Sequence, residues 1–218
     1  MRLNLARIIQ RSAANGPGER FVIWVQGCPL ACPGCWNPDT WAFQKRELRD
    51  TKSVVEEILS VDGIEGVTFT GGEPFMQARA LAEVGRAVQA EGLSVFVFTG
   101  FTLDELTSAS ARELQSVTDV LVSGRYVESA RVRDLTWRSS SNQQVHFLTK
   151  RYSPADMNGT AEAEIHIGPD GQLAITGFPA TALLSETTPV AASLCMCQGA
   201  EDLSCRRCLA RDTIGEGE

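Results

Sequence analysis

The order of apolar runs and amphipathic stretches predicts an α/β fold built on a parallel sheet. Two observations carry that prediction. Short apolar runs alternate with helical periodicity through residue 124, and a polar or glycine-rich turn follows each run directly.

The first run, ERFVIWVQG (19–27), reads as a buried strand ending in Gly27. Asp50 or Thr51 caps a helix whose apolar face is Val54, Val55, Ile58 and Leu59. GVTFT (66–70) is a second strand, and Gly71-Gly72-Glu73-Pro74 follows at once. A helix then spans about 77–91, with Leu81, Val84 and Val88 at helical spacing and Gly92 as terminator. LSVFVFTG (93–100) is the third strand. Thr102 and Glu105 form a capping box for a helix over about 103–115 that buries Leu106 and Leu114. DVLVSG (119–124) is the fourth strand.

Units of this size predict right-handed crossovers between parallel strands. Runs that carry apolar residues on both faces suit a sheet covered by helices. The turns at 27–28, 71–74, 99–100 and 123–125 therefore gather at the carboxyl edge of the sheet, where such folds bind ligands. Beyond residue 125 the pattern loosens. Residues 125–142 show no helix, VHFLT (145–149) reads as a strand, and AEIHIGPDGQLAIT (163–176) as a hairpin turning at Pro169, Asp170 and Gly171. Residues 179–193 form an apolar connector to a cysteine-rich tail.

With 43% hydrophobic and 22% charged residues, the chain is globular rather than disordered. A net charge of -7 argues against a general nucleic-acid binder, which needs a basic footprint. No secretory signal and no run of about 18 apolar residues is present, so the expected location is the cytoplasm, without a membrane span.

The seven cysteines fall into two groups: Cys28, Cys32 and Cys35, then Cys195, Cys197, Cys205 and Cys208. Tight groups in a cytosolic chain suit metal sites better than a disulfide framework. Three thiolates at C-x3-C-x2-C reach three corners of an iron–sulfur cubane and leave one iron open. On spacing alone, a zinc site completed by a distant residue stays open as an alternative.

QGCPLACPGCWNPDTW (26–41) resembles the cluster loop of the radical S-adenosylmethionine superfamily. It is especially similar to the small activases of anaerobic ribonucleotide reductase, with Pro-Gly between the last two cysteines and Asn-Pro-x-Thr-Trp afterwards. The resemblance continues through TGGEP (70–74), DVLVSGRYV (119–127), SSNQQVHFL (140–148) and TGFP (176–179), and so covers about residues 18–179. It implies a partial (β/α)6 TIM-like barrel over 1–179; residues 180–218, read as a connector and cysteine-rich extension, fall outside it.

The resemblance also implies a [4Fe-4S] cluster on Cys28, Cys32 and Cys35 whose open iron chelates S-adenosylmethionine. Backbone acceptors at Gly71 and Gly72 and the Glu73 carboxylate would then take the methionine ammonium. Asn142, assisted by Ser140, would meet the ribose or carboxylate. The implied activity is reductive cleavage to a 5′-deoxyadenosyl radical that activates a glycyl-radical enzyme, with flavodoxin or ferredoxin as low-potential electron donor. Activase-like sequences commonly carry Asp where Ser123 stands and Arg where Gln144 stands.

Other residues near the motifs read as supporting structure. Trp36, Trp41 and Phe43 are expected to shield the cluster loop, and His146 and His166 to be structural. Arg125 and Tyr126 lie at the functional edge, in ligand contact or in a rim salt bridge. The tail, C-x-C-x7-C-x2-C, offers four thiolates to a second [4Fe-4S] cluster or to zinc. Because simple reductase activases generally lack such a tail, a second function stays open: direct radical modification of a small metabolite or peptide with an auxiliary C-terminal cluster.

Overall fold

The computed structural model describes residues 1–132, 135–157, 163–167, 171 and 173–177. The domain boundary expected after residue 179, the connector and all four tail cysteines lie outside them. Among the described residues, no helix is long and apolar enough to cross a membrane.

One mixed sheet of seven strands organises the chain. In chain order the elements are β1 (Arg2–Ser12), β2 (Arg20–Val25), β3 (Glu47–Asp50), α1 (Thr51–Leu59), β4 (Gly66–Gly71), α2 (Ala78–Ala90), β5 (Ser94–Phe98), α3 (Ala109–Gln115), β6 (Val120–Ser123) and β7 (Gln144–Phe147). The spatial order is β3-β1-β2-β4-β5-β6-β7. The strands read from the alternating first half of the sequence, β2, β4, β5 and β6, pair in parallel as expected. The outer strands are antiparallel: β1 to both β2 and β3, and β7 to β6. The described helices number three, so three βα units are present among these residues where six were expected.

The helices cover one face. Val54 and Ile58 of α1, Leu81, Val84 and Val88 of α2, and Leu114 of α3 pack on Phe21, Ile23, Val25, Val67, Phe69, Val95, Val97 and Leu121. Leu59, expected in that core, is the last residue of α1 and is 41% exposed. On the opposite face, Phe96, Val120 and Val122 are covered by Trp137 and Tyr152, while Val22 and Trp24 pack with Ile9.

The expected helix over 103–115 divides in two. A 3-10 turn at Leu103–Glu105 keeps the Thr102–Glu105 box, and Ser108 caps α3 separately by accepting the Ala111 amide at 3.1 Å. The predicted hairpin pairs β8 (Ala163–Ile167) with β9 (Leu173–Gly177), and its turn residues Pro169 and Asp170 lie outside the described set. It joins the sheet through Glu164, which accepts the Ala13 amide at 2.7 Å, and through Asn15 Nδ2, which donates to Thr176 Oγ1 at 2.8 Å.

Candidate functional site

The carboxyl ends of β2, β4, β5 and β6 bring the three cysteines and the glycine turn together. The cysteine loop is closed at its base by backbone pairing. Gly27 N donates to Thr40 O at 2.8 Å and Cys28 N to Trp41 O at 3.0 Å. Beneath it lies an amide network that sequence reasoning missed. Gln77 Nε2 donates to the Asn4 and Gln26 carbonyls at 2.9 and 3.0 Å, and Gln26 Nε2 to Ala42 O at 2.7 Å.

The glycine turn is stitched to the same base. Gly72 N donates to Val25 O at 2.8 Å and Glu73 N to Gly27 O at 2.9 Å. Gly71 sits at φ +101°, and a Cβ on Gly72 would stand 2.5 Å from the Gly27 carbonyl oxygen. Side chains are excluded at these two positions because backbone meets backbone.

Backbone N–H groups favour the thiolate form at Cys28 and Cys32, and one donates to Cys35. Leu30 and Ala31 amides act on Cys28, the Tyr126 amide on Cys32, and Asn37 N donates to Cys35 Sγ at 3.4 Å. Ala31 adopts φ 43°, a left-handed conformation uncommon for a residue with a Cβ. Burial pushes the Cys28 and Cys32 thiols above their ordinary range, and those amides oppose the rise. Amide donors to sulfur are the contacts that stabilise thiolate ligands and tune an iron–sulfur cluster. The Trp41 indole N–H, in the segment that closes the loop, is buried and has no acceptor among the described residues.

Among the described residues, no three His, Cys, Asp or Glu side chains converge as they would around one metal ion. A cubane makes a different demand, because each cysteine binds a different iron and the thiolates stand apart. The donor set of three half-buried thiols, none of them in a disulfide, fits a cluster of that kind.

Glu73 is buried, and both its oxygens are engaged by the protein. Oε1 accepts from Phe75 N at 3.0 Å and Thr99 Oγ1 at 2.8 Å, while Oε2 accepts from Gly100 N at 2.9 Å. Burial raises its pKa to about 7, against the lowering effect of those donors. The carboxylate thus straps the glycine turn to the end of β5. There the Gly100 backbone carries Leu30 of the cysteine loop, whose Cδ1 would stand 2.3 Å from a Cβ on Gly100.

Ser140 is fully buried, bridged to Arg131, and its hydroxyl accepts the Val127 amide at 3.3 Å. Asn142 is exposed, and its Nδ2 donates to Arg125 O at 2.8 Å. Gln143, which sequence reasoning did not single out, donates from Nε2 to Gly124 O at 3.0 Å. Together these side chains brace the loop whose Tyr126 amide meets Cys32. Arg125 forms the rim salt bridge, paired with both oxygens of Glu105 at 2.7 and 2.8 Å, and Glu105 is held down to about 2 by that guanidinium.

Of the aromatic residues, Trp36 and Trp41 are half-buried, and the Arg131 guanidinium lies 4.6 Å from the Trp36 ring. Phe43 packs on Gly27 but stays 65% exposed, so it shields less than expected. His146 Nε2 contacts Ser123 Oγ at 2.8 Å, a structural placement as expected. Ser123 and Gln144, the two departures from the activase pattern, are register partners across β6 and β7.

A family model described as a 4Fe-4S single cluster domain matches residues 14–146. The anaerobic ribonucleoside-triphosphate reductase-activating protein of Escherichia coli K12 is 34% identical over 143 residues, covering 62% of this chain and 92% of that protein. The chain belongs to the radical S-adenosylmethionine activases.

Activating proteins of the same name from Haemophilus influenzae and Enterobacteria phage T4 are 30% and 31% identical. Each match covers 66% of this chain, with 97% of the first protein and 93% of the second. The chain is accordingly an enzyme with a [4Fe-4S] domain, as the cysteine loop led one to expect. QueE from Escherichia coli, a solved structure, is 20% identical with a TM-score of 0.39, over 47% of this chain and 54% of that one.

Proposed function

We propose that this activase converts an anaerobic ribonucleoside-triphosphate reductase to its glycyl-radical form, using S-adenosylmethionine as cosubstrate. The observation that carries the reading is the match to reductase-activating proteins, which spans 92% of the Escherichia coli relative; the cysteine loop and glycine turn lie within residues 14–146, matched by the cluster-domain family.

In this reading Cys28, Cys32 and Cys35 hold the [4Fe-4S] cluster, and their amide donors set its stability and potential. When bound, the cluster supplies the electron that splits the sulfonium into methionine and a 5′-deoxyadenosyl radical. The backbone of Gly71 and Gly72 receives the methionine ammonium, in a turn that the protein's own backbone keeps free of side chains. Glu73 holds that turn in register with the cysteine loop and adds negative charge beside the ammonium. Asn142 stands at the surface for the ribose or carboxylate, with Ser140 bracing its loop.

The parallel β2-β4-β5-β6 core with helices on one face would form part of a partial (β/α)6 barrel, whose cysteine-loop end would receive the protein segment bearing the target glycine. Flavodoxin or ferredoxin supplies the electron, and the cytoplasm keeps the thiols reduced. Cys195, Cys197, Cys205 and Cys208 form a separate metal site, a second [4Fe-4S] cluster or zinc, in an extension over 180–218.

That tail also favours a second reading, in which the radical modifies a small metabolite or peptide directly. Reductase grown with α-deuterated glycine separates the two. Deuterium passed into 5′-deoxyadenosine supports reductase activation, and 5′-deoxyadenosine formed without deuterium refutes it.

A further inference from the structure

β1 carries Leu3, Leu5, Arg7 and Ile9 at alternate positions, a spacing that puts all four on one face of a regular strand. The pairing with β2 breaks that rule. Leu5 opposes Val25 and Arg7 opposes Trp24, so the register shifts by one residue between Leu5 and Arg7. Leu3 and Leu5 join the core beneath the helices, whereas Ile9 packs with Val22 and Trp24 on the opposite face. The irregularity transfers Arg7 to that second face. Re-aiming one side chain is what a bulge does, often beside a functional site.

There the Arg7 guanidinium lies 4.3 Å from the centroid of the Trp24 ring. Stacking holds a guanidinium flat and leaves its N–H edge for a planar anion. Arg7 makes no hydrogen bond or ion pair to another described residue. Arg20, Arg125 and Arg49 contrast with it. Arg20 donates to Thr68, Pro17, Ser94 and Val67, Arg125 pairs with Glu105, and Arg49 pairs with Glu57.

The surroundings are short of negative charge. Burial pushes Arg7 below its ordinary pKa, Asp39 opposes that shift, and Arg46 adds to it. Asp39 is already paired with Arg46 at 3.3 Å. Two cations thus share one carboxylate, in a chain whose net charge is -7.

The position borders the candidate site. Trp24 pairs with Thr70, and a Cβ on Gly71 would stand 2.6 Å from the Trp24 Cα. Cys28 follows three residues after Val25, at the end of the same strand. A protein segment entering from the face opposite the helices therefore meets Arg7 next to the glycine turn.

We propose that Arg7, stacked on Trp24, is the recognition point for a carboxylate on an acidic segment of the reductase that docks beside the cysteine loop. The inference rests on the reductase-activation reading and names the chemistry of its docking contact. A charge-assisted bidentate pair with the Arg7 guanidinium suits that segment's carboxylate.

The test measures affinity of the cluster-loaded full chain for the anaerobic ribonucleoside-triphosphate reductase of the same organism, at low and high salt. Wild type, Arg7→Gln and Arg7→Lys are compared, with iron and sulfide counted in each to establish folding. Arg7→Gln is expected to weaken reductase binding by about tenfold or more and to flatten its salt dependence, and Arg7→Lys to recover part of the loss.

Equal reductase affinity in wild type and Arg7→Gln, with normal radical formation, overturns this assignment alone. Failure of the wild-type chain to bind reductase overturns both it and the reading it rests on. A loss of S-adenosylmethionine affinity in Arg7→Gln with reductase affinity unchanged gives Arg7 to the cosubstrate carboxylate instead, and also overturns the proposal.

Discussion

Glu73 accepts the Gly100 amide at 2.9 Å, so the glycine turn after β4 and the end of β5 share one buried carboxylate. Its pKa of about 7 lies above the ordinary 4.5, and the folded chain therefore holds this proton more tightly than the unfolded one. The stability linked to that proton is complete below the unfolded value and is lost as pH rises through about 7. In cluster-free protein, with Cys28 and Arg125 the charged or titratable groups acting on Glu73, the stability of wild type relative to Glu73→Gln should fall between about pH 5 and about pH 8. The expected drop is on the order of 2–3 kcal/mol, read from urea denaturation. A pH-independent difference contradicts a proton held at Glu73.

Gly72→Ala sets a methyl group 2.5 Å from the Gly27 carbonyl oxygen. Neither partner is a flexible side chain, so the turn itself must move. The variant should lose about 1–3 kcal/mol of stability and weaken S-adenosylmethionine binding more than it lowers iron content. Thermal melts and cosubstrate titration check both, and wild-type values in both rule out the close-approach account.

Ser123 and Gln144 oppose each other across β6 and β7, at the two positions where activase-like sequences commonly carry Asp and Arg. Ser123→Asp combined with Gln144→Arg should be more stable than the sum of the single changes by about 0.2–1 kcal/mol, the range of an opposite-charge cross-strand pair. A double-mutant cycle by denaturant unfolding measures the coupling, and additivity refutes it.

Replacing Cys195, Cys197, Cys205 and Cys208 together with alanine should remove one metal centre and leave S-adenosylmethionine binding at the first site measurable. Zinc lost at constant iron identifies a structural knuckle. About four irons lost with matching sulfide identify an auxiliary cluster. Unchanged metal content refutes a tail site.

The parallel core was legible because β2, β4, β5 and β6 are buried along most of their length and read as short runs rich in apolar residues. β1 was not legible. Arg2, Asn4, Arg7, Gln10 and Arg11 interrupt its apolar positions, and the register shift after Leu5 destroys the period of two that would have exposed it. The cysteine triad and glycine turn were legible as motifs, since their spacing is local. The bracing of the site was not, because it depends on contacts distant in sequence. Gln77 reaches Asn4, and Glu73 reaches Thr99 and Gly100. No periodicity records such contacts, although a buried carboxylate after two glycines and an amide at Gln77 were the available hints.

The most direct test of reductase activation is electron paramagnetic resonance of the reductase itself. The reconstituted chain, S-adenosylmethionine and a low-potential reductant are incubated anaerobically with reductase, alongside Cys28→Ala, Cys32→Ala and Cys35→Ala variants. The account predicts a glycyl-radical signal on the reductase with the wild-type chain, equimolar 5′-deoxyadenosine, and neither product with any cysteine variant. Cleavage of S-adenosylmethionine by the wild-type chain without a radical on the reductase would contradict it.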